Sequence, residues 1–280
     1  MIKKCLFDTN AIQVSNHSQP FWYASNTFGP FFINTHYLFG SESEAKKFLK
    51  TIDDNITDKT SAPALYEDIV KKQYECNNIY RSVIDNLVGE IKKSIDIDYI
   101  DIISGGERRD WFFSYIIARL LKKPHLTIYK DCSYNILLNG SIIINPDIKG
   151  KSVLHISDLV TMASSYINTW IPAIRSSNAV INDTFTIIDR CQGGKEILQN
   201  NNVRLKALFN IDRDLFDQAL KQSVINHAQY EMIISFTGDP NHFMKEFIEQ
   251  NPHFIQDSIE KGGKDGERAA AFLTNLNKER

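Results

Sequence analysis

Three short polar segments of the sequence carry the residue types that bind phosphate and carboxylate groups. In the first, residues 155–165, Asp158 and then Thr161, Ser164 and Ser165 follow a buried predicted strand and open a predicted helix. Backbone N–H groups at a helix N-terminus, together with such hydroxyls, would cradle a phosphate. The alternative is that these side chains only cap the helix, and their spacing leaves both interpretations open.

The other two segments combine arginine with glycine. Residues 104–110 (Ser-Gly-Gly-Glu-Arg-Arg-Asp) lie between a predicted strand and a predicted helix. Arg108 and Arg109 could grip a diphosphate there through charge-assisted hydrogen bonds, and a solvated run of charges is the alternative. Residues 188–194 follow another predicted strand, and Arg190 could bind a carboxylate with both nitrogens of its guanidinium.

The elements that precede these segments predict where they meet. After Ser94 the sequence alternates between strand-like and helix-like stretches. Strands are predicted at 99–103, 124–129, 152–156, 180–188 and 203–209, helices at 111–122, 162–176 and 194–200, and a hairpin around Asn139-Gly140. This pattern predicts an α/β fold with a mainly parallel sheet flanked by helices. Ligands of such sheets bind at the carboxyl ends of the strands.

The remaining sequence predicts the domain organisation. Residues 1–40 alternate aromatic side chains with turn formers, which predicts short strands and no helix. A capping box at Ser41 opens a first helix, and a second helical stretch from about Pro63 to Ser94 breaks near Asn77-Asn78. We expect a domain over residues 1–210 with a helical insertion at about 41–94, followed by a helical C-terminal extension over residues 211–280.

Composition excludes several classes of protein. The chain has 280 residues, of which 42% are hydrophobic and 24% charged, as in folded globular proteins. A formal net charge of −2 offers no basic excess to neutralise nucleic-acid phosphates, so we expect no nucleic-acid partner. The four cysteines are scattered without a CxxC pair, which excludes the usual zinc spacings and predicts reduced thiols. No apolar run approaches about 18 residues, so we expect no membrane partner and a cytoplasmic location.

The order of these motifs resembles that of type I phosphoribosyltransferases, and of orotate phosphoribosyltransferases in particular. Residues 157–165 are similar to the family's ribose-phosphate motif of two acids, two apolar residues and a threonine-glycine turn. Residues 189–194 are similar to its Asp-Arg-x-x-Gly-Gly motif, and residues 21–34 to its aromatic N-terminal segment. The resemblance spans about Phe21 to Leu208 and implies a type I phosphoribosyltransferase fold with an N-terminal hood.

The resemblance implies a glycosyltransferase of pyrimidine biosynthesis. Pyrophosphate would leave the anomeric carbon of phosphoribosyl pyrophosphate, and a nitrogen of a pyrimidine base, orotate, would attack that carbon with the assistance of Mg²⁺. Because the transition state has oxocarbenium character, the protein would contribute mainly positioning and charge stabilisation. The family's dimer completes each site with a mobile loop from the neighbouring subunit, so a homodimer is implied as well.

The resemblance also assigns roles to residues by their match to the family motifs. The catalytic residues would be Asp158, Lys130 and Arg109, and Asp158 would also face the ribose hydroxyls and the metal. The 5′-phosphate would be held by Thr161, Met162, Ala163, Ser164 and Ser165; the pyrophosphate loop would include Glu107 and Arg108; and the base would contact Phe32 and Arg190.

The sequence departs from the family pattern at four places, of which the missing first acid and the reduced mobile loop support a second hypothesis. Ala24 replaces a lysine beside the base, Ser157 replaces the first acid, Ala163 replaces a glycine, and the segment 129–135 keeps only Lys130 of the mobile loop's charged residues. The alternative to an enzyme is therefore a homologue without turnover that binds a phosphoribosyl ligand or nucleotide and acts in regulation. A short ordered hairpin after Lys130, far from the phosphate pocket, would favour this alternative, and a mobile segment reaching a neighbour's pocket would favour the enzyme.

Overall fold

The chain forms two compact units in a computed structural model that describes residues 2–16 and 19–278. The first unit comprises Met1–Ala11 and Thr35–Asp212, and the second comprises Ile12–Asn34 and Arg213–Arg280. Residues 12–34 therefore group with the C-terminal residues, whereas the sequence assigns them to the domain over residues 1–210. That predicted domain division stays a prediction.

The helices and strands are numbered in chain order. The helices are α1 Cys5–Asp8, α2 Glu42–Asn55, α3 Ala62–Cys76, α4 Asn78–Ser94, α5 Trp111–Leu121, α6 Ile171–Arg175, α7 Gly194–Asn200, α8 Arg213–Lys221, α9 His227–Gly238, α10 Pro240–Gln250, α11 Phe254–Lys261 and α12 Gly263–Lys278. The strands are β1 Ile12–Val14, β2 Phe21–Trp22, β3 Phe28–Gly29, β4 Phe31–Ile33, β5 Ile102–Gly106, β6 His125–Ile128, β7 Tyr134–Leu138, β8 Ser141–Ile144, β9 Ser152–Val160, β10 Val180–Asp189 and β11 Arg204–Asn210. Within residues 2–16 and 19–278, no helix is both long and apolar enough to cross a bilayer.

The first unit is built on a seven-stranded sheet with the strand order β11-β10-β9-β5-β6-β7-β8. Strands β11 through β6 in this order pair in parallel, and β7 and β8 add an antiparallel hairpin at one edge. Helices connect the parallel strands, as parallel pairing requires. The predicted α/β class with a mainly parallel sheet flanked by helices is confirmed, as is the predicted hairpin.

The chain changes direction across the sheet between β5 and β9. From β5 it passes through α5 to β6 on one side, and from β9 it passes through α6 to β10 on the other. The two strands pair only from Ile102 to Ser104, opposite Val153 to His155, and then separate. Such a switch of direction opens a crevice at the carboxyl ends of the strands, where ligands of open α/β sheets bind.

Strand β9 is longer than the sequence predicts. It was expected to end at Ile156, but it continues to Val160 because it keeps pairing with β10, where Ser157 lies opposite Thr186 and Val160 opposite Asp189. Ser157 and Asp158 are therefore strand residues. The helix predicted from Met162 begins at Ser164 and continues through a π-helical segment, Tyr166–Trp170, into α6.

Two further predictions differ at their ends. The strand predicted from Tyr99 begins at Ile102, because Ile97–Tyr99 forms a 3-10 turn capped by the Asp96 side chain. Within residues 1–40, where no helix was predicted, Cys5–Asp8 forms one helical turn and Thr35–Phe39 a 3-10 helix.

The helical insertion packs against α5. The predicted cap at Ser41 is confirmed, since its hydroxyl accepts the Glu44 N–H at 3.2 Å. Aromatic side chains join the insertion to α5: the ring of Phe48 lies 4.5 Å from that of Phe112, and Tyr66 stacks on Trp111 at 5.6 Å. Helix α5 is therefore buried on both sides, between the sheet and the insertion, which explains its nearly continuous apolar sequence.

The second unit has an aromatic core of its own. Trp22 stacks on Phe254 with their ring centroids 5.4 Å apart, and Phe28 meets the edge of Phe247 at 5.6 Å. The Trp22 indole N–H also donates to the Ser258 hydroxyl at 3.0 Å. The sequence predicts short strands within residues 1–40, and these strands, β1 to β4, are covered by the helices that follow residue 212.

Replacing Asn77 by alanine tests the predicted break between α3 and α4. The Asn77 side chain accepts the N–H groups of Ile79 and Tyr80, both at 3.0 Å. We expect Asn77→Ala to lower the free energy of unfolding by about 1 kcal/mol, the usual loss for an N-cap, as measured by urea denaturation. The control Asn86→Ala, on the exposed face of α4, should change it by less than about 0.5 kcal/mol. Equal losses in the two variants would contradict the capping role.

Candidate functional site

A cavity of about 460 Å³ lies where β5 and β9 separate. It is lined by Glu107, Arg108, Arg109, Asp110, Ser157, Asp158, Leu159, Thr161, Met162, Ala163, Ser164, Ser165, Tyr166 and Trp170. The structure thus brings together the predicted phosphate segment and the predicted diphosphate segment in one cavity, at the crevice that the sheet topology predicts.

The predicted phosphate segment forms a tight turn, from Thr161 to Ser165, between β9 and the helix that follows. Ala163 adopts a left-handed backbone conformation with φ of 53°, which favours glycine and explains why the family motif has a glycine here. Ser164 and Ser165 are exposed. The first N–H groups of a helix lack partners within that helix, so those after this turn are available to a ligand.

The start of α7 packs closely against the backbone of this turn. Gly193 has a φ of 94°, and a side chain at Gly194 would collide with the carbonyl of Thr161. The Asp-Arg-x-x-Gly-Gly motif therefore brings α7 into close backbone contact with the phosphate turn.

The predicted diphosphate segment presents one arginine with no ion pair. Arg108 pairs with Asp53 of α2, and Glu107 lies 3.6 Å from the Lys130 ammonium. Arg109 lines the cavity, is exposed, and takes part in no ion pair among the described residues. Its guanidinium is therefore the group of this segment that can form charge-assisted hydrogen bonds with an anion.

Two aspartates meet at the floor of the cavity. Asp110 Oδ1 accepts the backbone N–H of Asp158 at 2.9 Å. Burial, reinforced by the negative charge of Asp110, raises the pKa of the Asp158 carboxyl, and the nearby Arg109 guanidinium opposes this rise. An incoming cation would counter the negative charge of Asp110 and so favour the ionised form of Asp158.

Buried polar contacts extend from these acids into the sheet. Asp110 Oδ2 lies 3.5 Å from His155 Nε2, and His155 Nδ1 lies 2.9 Å from the Ser104 hydroxyl. The Tyr166 hydroxyl donates to the Ser157 hydroxyl at 2.7 Å. Ser157, which replaces the family's first acid, thus points to a tyrosine of the described cavity lining.

Five of the lining residues have no role predicted from the sequence, namely Asp110, Ser157, Leu159, Tyr166 and Trp170. A signal existed for Asp110, because an aspartate directly before an apolar helical run is a common N-cap, although its side chain makes no capping hydrogen bond. Trp170 gave no signal, because its place against Gly106 depends on the packing of separate elements.

The segment that follows β6 is a short turn pinned by the insertion. Lys59 donates to Asp131 at 2.7 Å and to the Ser133 hydroxyl at 2.6 Å, and its ammonium lies 4.5 Å from the centre of the Tyr129 ring. Lys130, predicted to be catalytic, donates its backbone N–H to Glu107 at 3.2 Å. Lys130 therefore lies beside a residue of the cavity lining and is not among the lining residues itself.

The two residues predicted to contact the base are held by different elements. Arg190 follows β10, and its backbone N–H donates to the Val160 carbonyl at 2.9 Å, which places it next to the phosphate turn. Phe32 lies on β4 in the second unit, where its ring is 6.1 Å from that of Phe21. Their contacts with a base stay predictions.

The fit of Mg²⁺ can be judged from the carboxylates of the cavity. In the described part of the chain, no group of three or more His, Cys, Asp or Glu side chains is arranged to hold a metal. Mg²⁺ needs no such cage, because it is commonly held by one or two carboxylates together with substrate phosphates and waters. Both oxygens of Asp110 accept backbone N–H groups, so Asp158 is the carboxylate that fits this role.

Fold and cavity together define a protein with a type I phosphoribosyltransferase-like fold. A solved orotate phosphoribosyltransferase from Aeropyrum pernix has this fold: it matches with a TM-score of 0.52 at 17% identity, over 80% of this chain and all of the other. Curated relatives are orotate phosphoribosyltransferases, so the resemblance to that family is confirmed. No model of a protein family matches the sequence.

The matches to the curated relatives are partial. The orotate phosphoribosyltransferase of Saccharolobus solfataricus is 28% identical over 159 residues, which cover 56% of this chain and 77% of the relative. That of Thermoplasma volcanium is 30% identical over 88 residues, which cover 31% of this chain and 51% of the relative. The chain thus spans about half the length of the latter relative.

Glycine at position 163 tests the conformation of the phosphate turn. Ala163→Gly removes the cost of a left-handed alanine but also a buried methyl group, so we expect the free energy of unfolding to stay within about 0.5 kcal/mol of the wild-type value. Ala118, equally buried but in the middle of α5, is the control: Ala118→Gly should cost about 1 to 2 kcal/mol. Similar losses at the two positions, measured by urea denaturation, would contradict the turn conformation.

Removing Lys59 tests the pinned turn after β6. We expect Lys59→Ala to speed tryptic cleavage after Lys130 while changing global stability by less than about 1 kcal/mol, since the lost ion pair is partly exposed. The control Lys50→Ala removes a pair with Asp54 inside α2 and should leave the cleavage rate unchanged, as followed by mass spectrometry. An unchanged rate in Lys59→Ala would show that this lysine does not hold the turn.

Proposed function

We propose that this protein is a phosphoribosyltransferase of the orotate type. It transfers ribose 5-phosphate from phosphoribosyl pyrophosphate to a pyrimidine base and releases pyrophosphate. The observation that carries the proposal is the single cavity at the separation of β5 and β9, which joins a phosphate turn, an unpaired arginine and an acid. The named activity of the curated relatives supports the choice of orotate as the base.

Each wall of the cavity binds one part of the substrate. The backbone N–H groups and hydroxyls from Thr161 to Ser165 hold the 5′-phosphate at the start of the helix. Arg109 binds the pyrophosphate and stabilises the negative charge that develops as it leaves. Asp158 lies between them and faces the ribose hydroxyls, so the three groups fix the ribose for attack at its anomeric carbon.

The proposal includes Mg²⁺, which would bind together with the substrate. When bound, it neutralises charge on the pyrophosphate, and Asp158 is the residue that would hold it. Arg190, beside the phosphate turn, binds the carboxylate of the base in the bidentate manner that suits a guanidinium. The proposal also includes a homodimer in the cytoplasm.

One observation favours the second hypothesis, a homologue without turnover that binds a phosphoribosyl ligand. The segment corresponding to the family's mobile loop is the short turn that Lys59 pins, and it continues directly into the β7–β8 hairpin. The turn is short and bound by Lys59, which fits this alternative, but it lies beside Glu107 of the cavity lining and not far from the cavity. Ligand binding is therefore common to both hypotheses, and turnover distinguishes them.

Calorimetric titration with phosphoribosyl pyrophosphate and Mg²⁺ tests ligand binding. We expect Arg109→Ala to weaken binding by about tenfold or more, because charge-assisted hydrogen bonds of this kind contribute about 1.5 to 3 kcal/mol. The matched control is Arg119→Ala at the far end of α5, where the arginine lies 3.7 Å from Glu67. It should bind like the wild type. Equal effects of the two substitutions would contradict the role of Arg109.

An assay of pyrophosphate release then separates the two hypotheses. Release that depends on orotate establishes the transferase. Binding without release, across orotate, uracil and other bases, establishes the binding protein. No binding by the wild type would refute both.

A further inference from the structure

We propose that Asp110 is the positioning residue of this site: its carboxylate ties the arginine segment to the acid strand across the separation of β5 and β9. The inference rests on the proposed function, because the two segments that it ties are those that would bind the two ends of phosphoribosyl pyrophosphate. No motif of the sequence analysis assigns this role.

The separation of the strands leaves two backbone donors facing the gap. Paired residues end at Ser104 and His155. Since the Glu107 N–H donates to the Ile128 carbonyl on the β6 side, and successive N–H groups of a strand point in opposite directions, the Gly106 N–H points toward β9. The Asp158 N–H lies on β9 beyond the last pair. A buried N–H group without a hydrogen-bond partner lowers the stability of the fold, so hydrogen-bond acceptors are needed in the gap.

Asp110 supplies both acceptors. Its Oδ2 accepts the Gly106 N–H at 3.0 Å, and its Oδ1 accepts the Asp158 N–H at 2.9 Å. The residue is only 6% exposed. One carboxylate thus takes the place of the missing backbone pairing, and its fixed O–O spacing sets the distance between the two strand ends.

The Asp110 carboxylate forms its hydrogen bonds across the gap between the strands and caps no N–H group of α5, the helix that follows it. Asp110 precedes α5, where an aspartate would ordinarily cap the helix, yet only its backbone carbonyl accepts N–H groups from the helix, those of Phe113 and Ser114. Behind it, the buried ring of His155 lies 3.5 Å from Oδ2 and is held through Nδ1 by Ser104. The last paired residues of the two strands, Ser104 and His155, are therefore joined to each other directly behind the side chain that bridges the strands.

A ligand that spans both segments depends on this spacing, whereas a ligand that touches one segment does not. Phosphoribosyl pyrophosphate carries its two phosphate groups at opposite ends of the ribose, so both segments must hold the right separation at once. Ribose 5-phosphate and inorganic pyrophosphate each need only one of them. Loss of the tie should therefore weaken binding of the whole ligand more than binding of either part.

The test compares Asp110→Ala with a control aspartate at the other end of the same strands. Asp101, just before β5, accepts the Ser152 N–H of β9 at 2.8 Å and the Lys151 ammonium at 3.2 Å. Asp101→Ala removes a comparable link away from the cavity. Asp110→Asn keeps one acceptor oxygen and so preserves one of the two bonds, which makes it the partial rescue and the fallback if the alanine variant does not fold.

Two measurements are made on the full chain. Hydrogen–deuterium exchange is followed in peptides covering residues 104–110 and 155–160, and calorimetry gives the affinities for phosphoribosyl pyrophosphate, ribose 5-phosphate and pyrophosphate with Mg²⁺. We expect Asp110→Ala to speed exchange in both peptides and to weaken phosphoribosyl pyrophosphate by about tenfold or more, with each part weakened by less than about threefold. Asp110→Asn should be intermediate, and Asp101→Ala should match the wild type in both measurements.

Three outcomes decide the inference. Unchanged exchange in both peptides of Asp110→Ala or Asp110→Asn overturns it. Equal weakening of the whole ligand and of its parts also overturns it, because Asp110 would then be a direct ligand contact. Faster exchange in both peptides, in a protein whose wild type binds no phosphoribosyl pyrophosphate, refutes the proposed function and leaves the tie between the strands established.

Discussion

The separation of β5 from β9 beyond Ser104 and His155 is the constraint on which the first unit's cavity depends. A parallel sheet whose connections leave in opposite directions from two neighbouring strands cannot keep those strands paired to their ends, because each must turn toward its own helix. The arginine segment leaves with β5 and the phosphate turn leaves with β9. The topology of the sheet therefore creates the cavity between them, and the side chains only line it.

Close packing on both faces holds the end of β5 in this position. A side chain at Gly105 would collide with Ser114 of α5, and a side chain at Gly106 would collide with Trp170 on the approach to α6. Both glycines are required by these contacts, since neither has a positive φ. The Gly-Gly pair that precedes the charged segment thus lets two helices approach the strand from opposite sides.

The helical insertion contacts residues around the cavity as well as residues of the core. Its aromatic residues cover α5, while two of its polar residues reach the functional segments: Asp53 pairs with Arg108, and Lys59 binds the turn that contains Asp131. Removing the insertion would expose the apolar face of α5 and release both segments. The insertion is therefore integral to the first unit, and its charges set which basic groups of the site stay unpaired.

Sequence signals predicted those features whose cause is local. The hairpin at Asn139-Gly140, the cap at Ser41 and the helix break near Asn77 depend on residues within one turn of each other, and all three are present. The extension of β9 through Asp158 was missed, because polar residues continue a strand only when a distant strand, here β10, offers pairing.

The positions of the side chains around the cavity depend on contacts between residues far apart in sequence. Lys59 and Tyr129 meet across the fold, and Asp110 bridges strands whose adjacency no local pattern reveals. The segments that carry the site could be predicted from their place after strands, but the partners that restrain them could not. The sequence predicts a role for both Arg108 and Arg109, although only the structure distinguishes Arg108, which pairs with Asp53, from Arg109, which has no ion pair in the described part of the chain.

On the proposed function, this pairing determines which groups of the cavity are available to an anionic ligand. Two of its basic neighbours are largely neutralised, Arg108 by Asp53 and Lys130 by Glu107. Besides the backbone N–H groups at the start of the helix after Ala163, this leaves the Arg109 guanidinium, which has no ion pair among the described residues, and Arg190, which lies next to the phosphate turn. Backbone dipoles act mainly within the first turn of a helix, and the chain as a whole carries a net charge of −2. Long-range attraction is therefore weak, and recognition depends on short hydrogen bonds whose geometry the sheet and Asp110 together fix.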